Sequence, residues 1–431
     1  MNKKILQLAI PNIISNITVP LLGLVDLAIV GHLDSEQAIG AIAVGGMLFS
    51  IIYWLFGFLR MGTSGLTAQA YGKRDFYEIG SIFIQALATG LLIAFFLLAL
   101  QIPIKDLAFY LLHASEGVEE MASTYFLIRI WGAPSVLALY GLKGWFIGMQ
   151  NARFPMYIAI TVNVVNILCS LFFVYVLGMD IAGVALGTVI AQYIGLLVAV
   201  VLWFVYYGRF KKEIHIRTQL TIRKMKRFFS INSYIFIRTV CLIAVTSFFT
   251  AQGAQEGDTL LAVNTLLMQL FTLFAYVIDG FAFAGEALTG RFIGARDKIL
   301  LHKAIRSLFL WGFLLSTFYT LSYALLGEKL LHLLTNNTLV IATSKSYFFW
   351  AIIIPLSGFV AFLWDGIYIG ATAGKEMSWA AIIASIAFFI LFYSLHPLLG
   401  NHALWLAFII YLLLRGVTQT LWAKRAVYQK L

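Results

Sequence analysis

The chain is 431 residues long, 61% hydrophobic, 15% aromatic and only 11% charged, with a mean hydropathy of +0.91. Ordinary soluble domains carry about 25% charged residues to cover their surface, so these proportions exclude a soluble enzyme and an intrinsically disordered chain. The two cysteines, Cys169 and Cys241, lie in apolar runs and read as reduced packing residues, which excludes a disulfide scaffold. The bilayer is the solvent that remains.

Barrel strands would alternate in polarity over about ten residues, whereas the apolar runs here continue for about twenty or more. Hydropathy predicts twelve membrane helices, at 5–30, 37–61, 77–101, 120–144, 155–177, 181–207, 226–252, 259–287, 302–326, 345–370, 378–398 and 402–423. The first contains Pro11, Pro20 and Asp26 and has no small-residue cleavage site, so it reads as a retained helix. The formal charge of +11 is unevenly placed. With the N-terminus inside, the inner loops collect Lys3, Lys4, Lys73, Arg74, Arg153, Arg291, Arg296, Lys375 and the basic run 209–227, while the outer loops carry mostly Asp34, Glu36, Glu116, Glu119, Asp180, Glu256 and Asp258. This bias predicts a multi-pass protein of the cytoplasmic (inner) membrane with both termini cytoplasmic. The basic run reads as a linker facing lipid headgroups, and nucleic acid is not an expected partner.

The linker splits the helices six and six, giving an N-lobe over 1–208, a basic cytoplasmic linker over 209–225 and a C-lobe over 226–431. A repeat appears at a shift of 222 residues: Thr67, Gly72, Arg74 and Asp75 recur as Thr289, Gly294, Arg296 and Asp297, and Ser135, Gly144, Ile147 and Gly148 recur as Ser357, Gly366, Ile369 and Gly370. Six helices per half leaves both halves in the same orientation. Parallel repeats of this kind belong to alternating-access transporters, which handle substrate between two pseudo-symmetric lobes.

An ionisable side chain inside a span costs at least about 2.5–3.5 kcal/mol, so each one needs a partner or a role. Asp26 lies about twenty residues into the first span, roughly 30 Å along its helix. Pro11 and Pro20 each remove a backbone donor there and are candidate bending points. The fifth span carries Asn163, Asn166 and Ser170 on one helical face, and the sixth carries Thr188 and Gln192 one turn apart at similar depth. Oxygen donors without cysteine or histidine suit a proton or a hard monovalent cation, and sodium would be held by Asp26, Asn166, Ser170 and Thr188. The C-lobe has its own charged cluster of Arg238, Asp279, Glu286 and Asp365, with Asp365 at the repeat position of Lys143.

Several of these residues sit in recognisable motifs. Asp26 followed by Leu27-Ala28-Ile29-Val30-Gly31-His32-Leu33, the loop Thr67-Ala68-Gln69-Ala70-Tyr71-Gly72, and Asn163 with Asn166 resemble the multidrug and toxic compound extrusion (MATE) family. Asp279-Gly280-Phe281-Ala282 with Glu286-Ala287, and the segment Asp365–Thr372, resemble its DinF-like branch. The resemblance covers nearly the whole chain. It implies an all-α integral membrane protein of twelve helices in two lobes that exports amphipathic, often cationic compounds in exchange for a cation. It further implies an N-lobe site in which Asp26, Pro11, Asn166, Thr188 and Tyr125 match family positions. Where DinF-like relatives place a second aspartate four residues after the asparagine, this chain has Ser170, so a proton shared by two carboxylates is not available to it.

The resulting expectation is antiport driven by H+ or Na+ with Asp26 as the main ion-coupling carboxylate, no other cofactor, small amphipathic molecules and the bilayer as partners, and a monomer as the working unit. The alternative is a flippase of lipid-linked sugars, which needs a cationic cavity; Lys143, Arg129 and Arg238 are its available cations. An integral-membrane enzyme is disfavoured, because the seven histidines fall mostly in or near loops.

Overall fold

The computed structural model describes residues 1–31, 35–112 and 115–430. His32, Leu33, Asp34 and His113, which enter the motif, loop-charge and histidine readings above, lie outside the described residues. Among the described residues, 12 helices are long and apolar enough to cross a membrane. They are α1 (Asn2–Gly31), α2 (Gln37–Lys73), α3 (Phe76–Ala99), α4 (Glu116–Gly148), α5 (Arg153–Val176), α6 (Asp180–Glu213), α7 (Ile222–Gln255), α8 (Asp258–Gly294), α9 (Lys298–Gly327), α10 (Thr338–Gly370), α11 (Gly374–Leu399) and α12 (Asn401–Lys430). Each coincides with one predicted run. On α9 the exposed Leu310, Phe313, Leu314, Phe318, Leu321 and Leu325 recur at helical spacing, an apolar stripe suited to lipid.

Several helices change geometry along their length, and α6 and α12 end in 3-10 turns over Gly208–Glu213 and Tyr428–Lys430. α2 is interrupted between Leu55 and Phe58, α4 tightens to a 3-10 turn over Ile130–Gly132, and α5 ends in a π turn over Phe172–Val176. α1 runs on as one helix through both Pro11 and Pro20.

Contacts divide the chain into two compact units, Ile14–Phe229 and Met1–Ile13 with Ser230–Leu431. The first turns of α1 therefore pack with the C-terminal helices. Gly280 of α8 makes this approach feasible: a Cβ there would stand 2.3 Å from Ile13 Cγ1 and 3.0 Å from the Ala9 carbonyl oxygen. The basic segment before α7 is docked on the N-terminal unit. Gln219 is fully buried, its side chain donates to the Glu213 carbonyl at 2.6 Å, and its own carbonyl accepts from Gln85 at 3.2 Å. Lys224 reaches the Tyr77 hydroxyl at 3.1 Å and Arg227 pairs with Glu78 at 3.3 Å, both at the start of α3.

The repeat of 222 residues is a repeat of geometry within each unit. Arg74 and Arg296 both take left-handed backbone, with φ of 59° and 55°. The aspartate after each caps the next helix, Asp75 accepting from the Glu78 amide and Asp297 from the Leu300 amide, at 2.9 Å in both. Gly144 and Gly366 mark the closest helix crossings: a Cβ would lie 2.3 Å from the Arg60 carbonyl oxygen in one unit and 2.0 Å from that of Ala282 in the other. Small residues that let backbones touch are the usual means by which membrane helices associate without a hydrophobic driving force between them. α2 thus packs on α4 as α8 packs on α10, and α5 on α6 as α11 on α12.

Candidate functional site

In the N-terminal unit the predicted polar residues converge from four helices. Asp26 of α1 is 3% exposed, and Asn166 of α5 stands within hydrogen-bonding reach of it. Asn166 also donates from Nδ2 to the Thr188 hydroxyl of α6 at 2.9 Å, and that hydroxyl donates to the Val184 carbonyl at 3.0 Å. Ser170, one turn after Asn166, is fully buried, and its Oγ would lie 2.7 Å from a Cβ at Gly187, so only glycine lets α6 approach α5 here. Asp26 Oδ1, Asn166 Oδ1 and Ser170 Oγ are all buried without a hydrogen-bond partner. Leaving such atoms unpaired costs about 1–3 kcal/mol each.

Asn163 does not share this arrangement. Its Nδ2 donates across to the Thr18 carbonyl of α1 at 2.8 Å, two residues before Pro20, so it pins the α1 backbone beside the proline. Tyr125 of α4 is buried, and its hydroxyl accepts from Arg129 Nη1 one turn later. The guanidinium carbon of Arg129 lies 4.8 Å from the Phe49 ring centroid and 5.3 Å from that of Tyr125. Asp26 is its acidic neighbour. The sequence marks Arg129 only as a cavity cation; nothing in its spacing places it beside Asp26, since the two lie on helices that meet only through folding.

The C-terminal unit holds a charged clamp. Asp365 of α10 accepts from Arg238 of α7 and from Arg415 of α12, the latter at 2.5 Å, both through Oδ2, while Gln419 of α12 donates to Oδ1 at 2.6 Å. All four residues are buried. The structure therefore joins Arg238 to Asp365 and adds Arg415 and Gln419, which no sequence motif marks. Asp279, half-buried, and Glu286, fully buried, stand on α8, and the carboxylate of Asp365 is held by the other groups instead. Lys143, at the repeat position of Asp365, has Arg60 as its charged neighbour. Neither free cysteine, Cys169 or Cys241, is disulfide-bonded.

Twelve apolar helices in a duplicated arrangement, with carboxylates, carboxamides and guanidinium groups buried within them, define a multi-pass membrane transporter. The sequence pattern of the MatE family matches residues 11–172 and 233–397, once in each half, and the chain belongs to this family. It is 38% identical over 434 residues to DNA damage-inducible protein F of Escherichia coli (strain K12), covering 97% of this chain and 91% of that one. It is 23% identical to DETOXIFICATION 44, chloroplastic, of Arabidopsis thaliana, covering 96% of this chain and 80% of that one. With the probable multidrug resistance protein NorM of Thermotoga maritima it shares 22% identity over 80% of this chain and 75% of the other. Among solved structures, an outward-facing multidrug resistance MATE family transporter of the MOP superfamily superposes with a TM-score of 0.87 at 18% identity, over 99% of this chain and 96% of that one. A MATE in the bent conformation gives 0.88 at 19% identity, over 100% and 96%. Membership of this family makes the protein a transporter of small molecules and not an enzyme.

Proposed function

We propose that the protein is a cation-coupled antiporter that exports amphipathic, often cationic compounds by alternating access, with Asp26 as the carboxylate that binds the coupling ion. The observation that carries this reading is the buried trio of unpartnered oxygens, Asp26 Oδ1, Asn166 Oδ1 and Ser170 Oγ, beside Thr188. A proton needs only the carboxylate. Sodium needs several hard oxygens, and this donor set supplies a carboxylate, a carboxamide and hydroxyls. With serine at 170 the site has one acid, so one monovalent charge neutralises it.

Neutralising Asp26 changes what α1 can pack against. Coupling follows if the ion binds one conformation more tightly than the other, because an ion bound equally by both shifts nothing. Asn163 holding the Thr18 carbonyl, two residues before Pro20, ties the α1 backbone to the helix that also carries Asn166 and Ser170. Ion binding at the second and third of these residues is thereby transmitted to the stretch of α1 that precedes Asp26.

The flippase alternative keeps Lys143, which stands beside Arg60, but Arg238 is bound to Asp365 and Arg129 to Tyr125, so it is less well supported. The protein acts in this reading as a monomer in the cytoplasmic membrane, both termini inside. Efflux of a fluorescent cationic dye from vesicles given a proton gradient or a sodium gradient separately tests it. Efflux that follows neither gradient would refute ion coupling.

A further inference from the structure

Arg129 is a half-buried charge that the antiport reading leaves without a task. It is the last residue before the 3-10 turn of α4, a mid-helix irregularity of the kind that serves as a hinge. Of its five N–H donors, Nη1 goes to a neutral phenol and Nε is buried with no partner. Arg238 and Arg415, by contrast, bond directly to a carboxylate. The tyrosine hydroxyl of Tyr53 is likewise buried without a partner, on α2 beside the same guanidinium. Phe49 and Tyr125 supply ring faces at 4.8 and 5.3 Å, an aromatic seat for a cation. The acid next to this seat is Asp26, whose Oδ1 is also unpartnered.

We infer that Arg129 is a tethered cation that competes with the coupling ion for Asp26, resting in the seat of Phe49, Tyr53 and Tyr125 when the ion holds the carboxylate. The inference rests on the reading of Asp26 as the ion site. Among the described residues the groups that act on Asp26 are Asn166 from α5, which also bonds Thr188 of α6, and Tyr125 and Arg129 from α4, so Arg129 is the cation among them. A second cation brought to a carboxylate that already holds one is repelled by the first, so ion and guanidinium weaken each other's hold on Asp26. When the external ion leaves, the guanidinium supplies the missing counter-charge, and when the ion arrives the ring faces and phenol oxygens take the guanidinium back. The tethered cation thus weakens ion binding and assists release, and by linkage the ion weakens the Arg129 contact by the same factor.

The test is the ion concentration at half-maximal efflux in proteoliposomes, using whichever of proton or sodium drives the wild type. A neighbouring charge changes carboxylate occupancy by about tenfold or more, so Arg129→Met lowers the half-maximal ion concentration by about tenfold. Tyr125→Phe removes the hydroxyl that holds the guanidinium in its seat, and one such bond is worth roughly threefold, so this variant raises the half-maximal concentration by about threefold. Opposite shifts are expected; a purely structural role would lower the maximal rate of both variants without moving their midpoints apart. Midpoints that stay within about twofold of wild type, or that move in the same direction, overturn the competition. If Arg129→Met fails to give a monodisperse protein, the rise in Tyr125→Phe decides, and its absence overturns the proposal. Asp26→Asn is measured in parallel. Ion dependence that persists there rejects Asp26 as the coupling site, whereas loss of dependence there with unmoved midpoints in the other two rejects only the tethered cation.

Discussion

Replacing Asp365 by asparagine is the sharpest structural perturbation available in the C-terminal unit. The clamp sets two arginines against one aspartate, so it already carries one excess positive charge, and Asp365→Asn leaves two buried guanidinium groups facing a neutral amide. The side chains of Arg238 and Arg415 are 9% and 2% exposed, so water cannot make good the loss. Removing one member of a buried ion pair typically costs about 3–5 kcal/mol, because an uncompensated charge remains. Removing an arginine is a different matter: Arg238→Met leaves one arginine against one aspartate, and forfeits a charged hydrogen bond worth about 1.5–3 kcal/mol while relieving repulsion between the two cations. Fluorescence-detected size-exclusion chromatography after heating in detergent should rank stability as wild type, then Arg238→Met, then Asp365→Asn. A variant Asp365→Asn as heat-resistant as wild type, or more so than Arg238→Met, would refute the clamp.

Two outcomes follow from the repeat, and a third concerns an uncrowded glycine. Gly144→Ala and Gly366→Ala force a methyl group to within 2.3 and 2.0 Å of a backbone oxygen. Overpacking of this kind costs about 1–3 kcal/mol, so both should melt earlier in the same assay. Gly46→Ala meets nothing within 4 Å and should be neutral or stabilising by about 0.5–1 kcal/mol through helix propensity. Asp75→Ala and Asp297→Ala each delete a helix cap of 2.9 Å, an expected loss of about 1 kcal/mol seen as a lower melting temperature, with Asp75→Asn and Asp297→Asn largely restoring it.

The twelve helices were legible because the length of an apolar run is a one-dimensional property; composition alone gave the membrane class, and run length made it all-α. The repeat was legible where side chains match, at Arg74 and Arg296 for instance. It was hidden where only the backbone does: Gln150 and Thr372 stand at equivalent positions with φ of 66° and 50°, yet share no side-chain chemistry. The convergence of Asp26, Asn166 and Thr188 was readable from depth and helical face. Asn163 shares that face and yet bonds the Thr18 carbonyl, because a helical face is broad enough to meet two partners. Arg415 and Gln419 were invisible because a single charge does not interrupt the hydropathy of α12, and their relation to Asp365 exists only once α10 and α12 pack. The first turns of α1 joined the other unit for the same reason, as no change of composition marks Ile13.

The role of Asp26 is tested by dye efflux from proteoliposomes containing wild type or Asp26→Asn, with a proton gradient and a sodium gradient imposed in turn. The wild type should accelerate efflux under one of them, and Asp26→Asn should lose that acceleration while still eluting as a folded protein. A folded Asp26→Asn protein whose efflux still responds to the same gradient at the wild-type rate would remove Asp26 from the coupling mechanism.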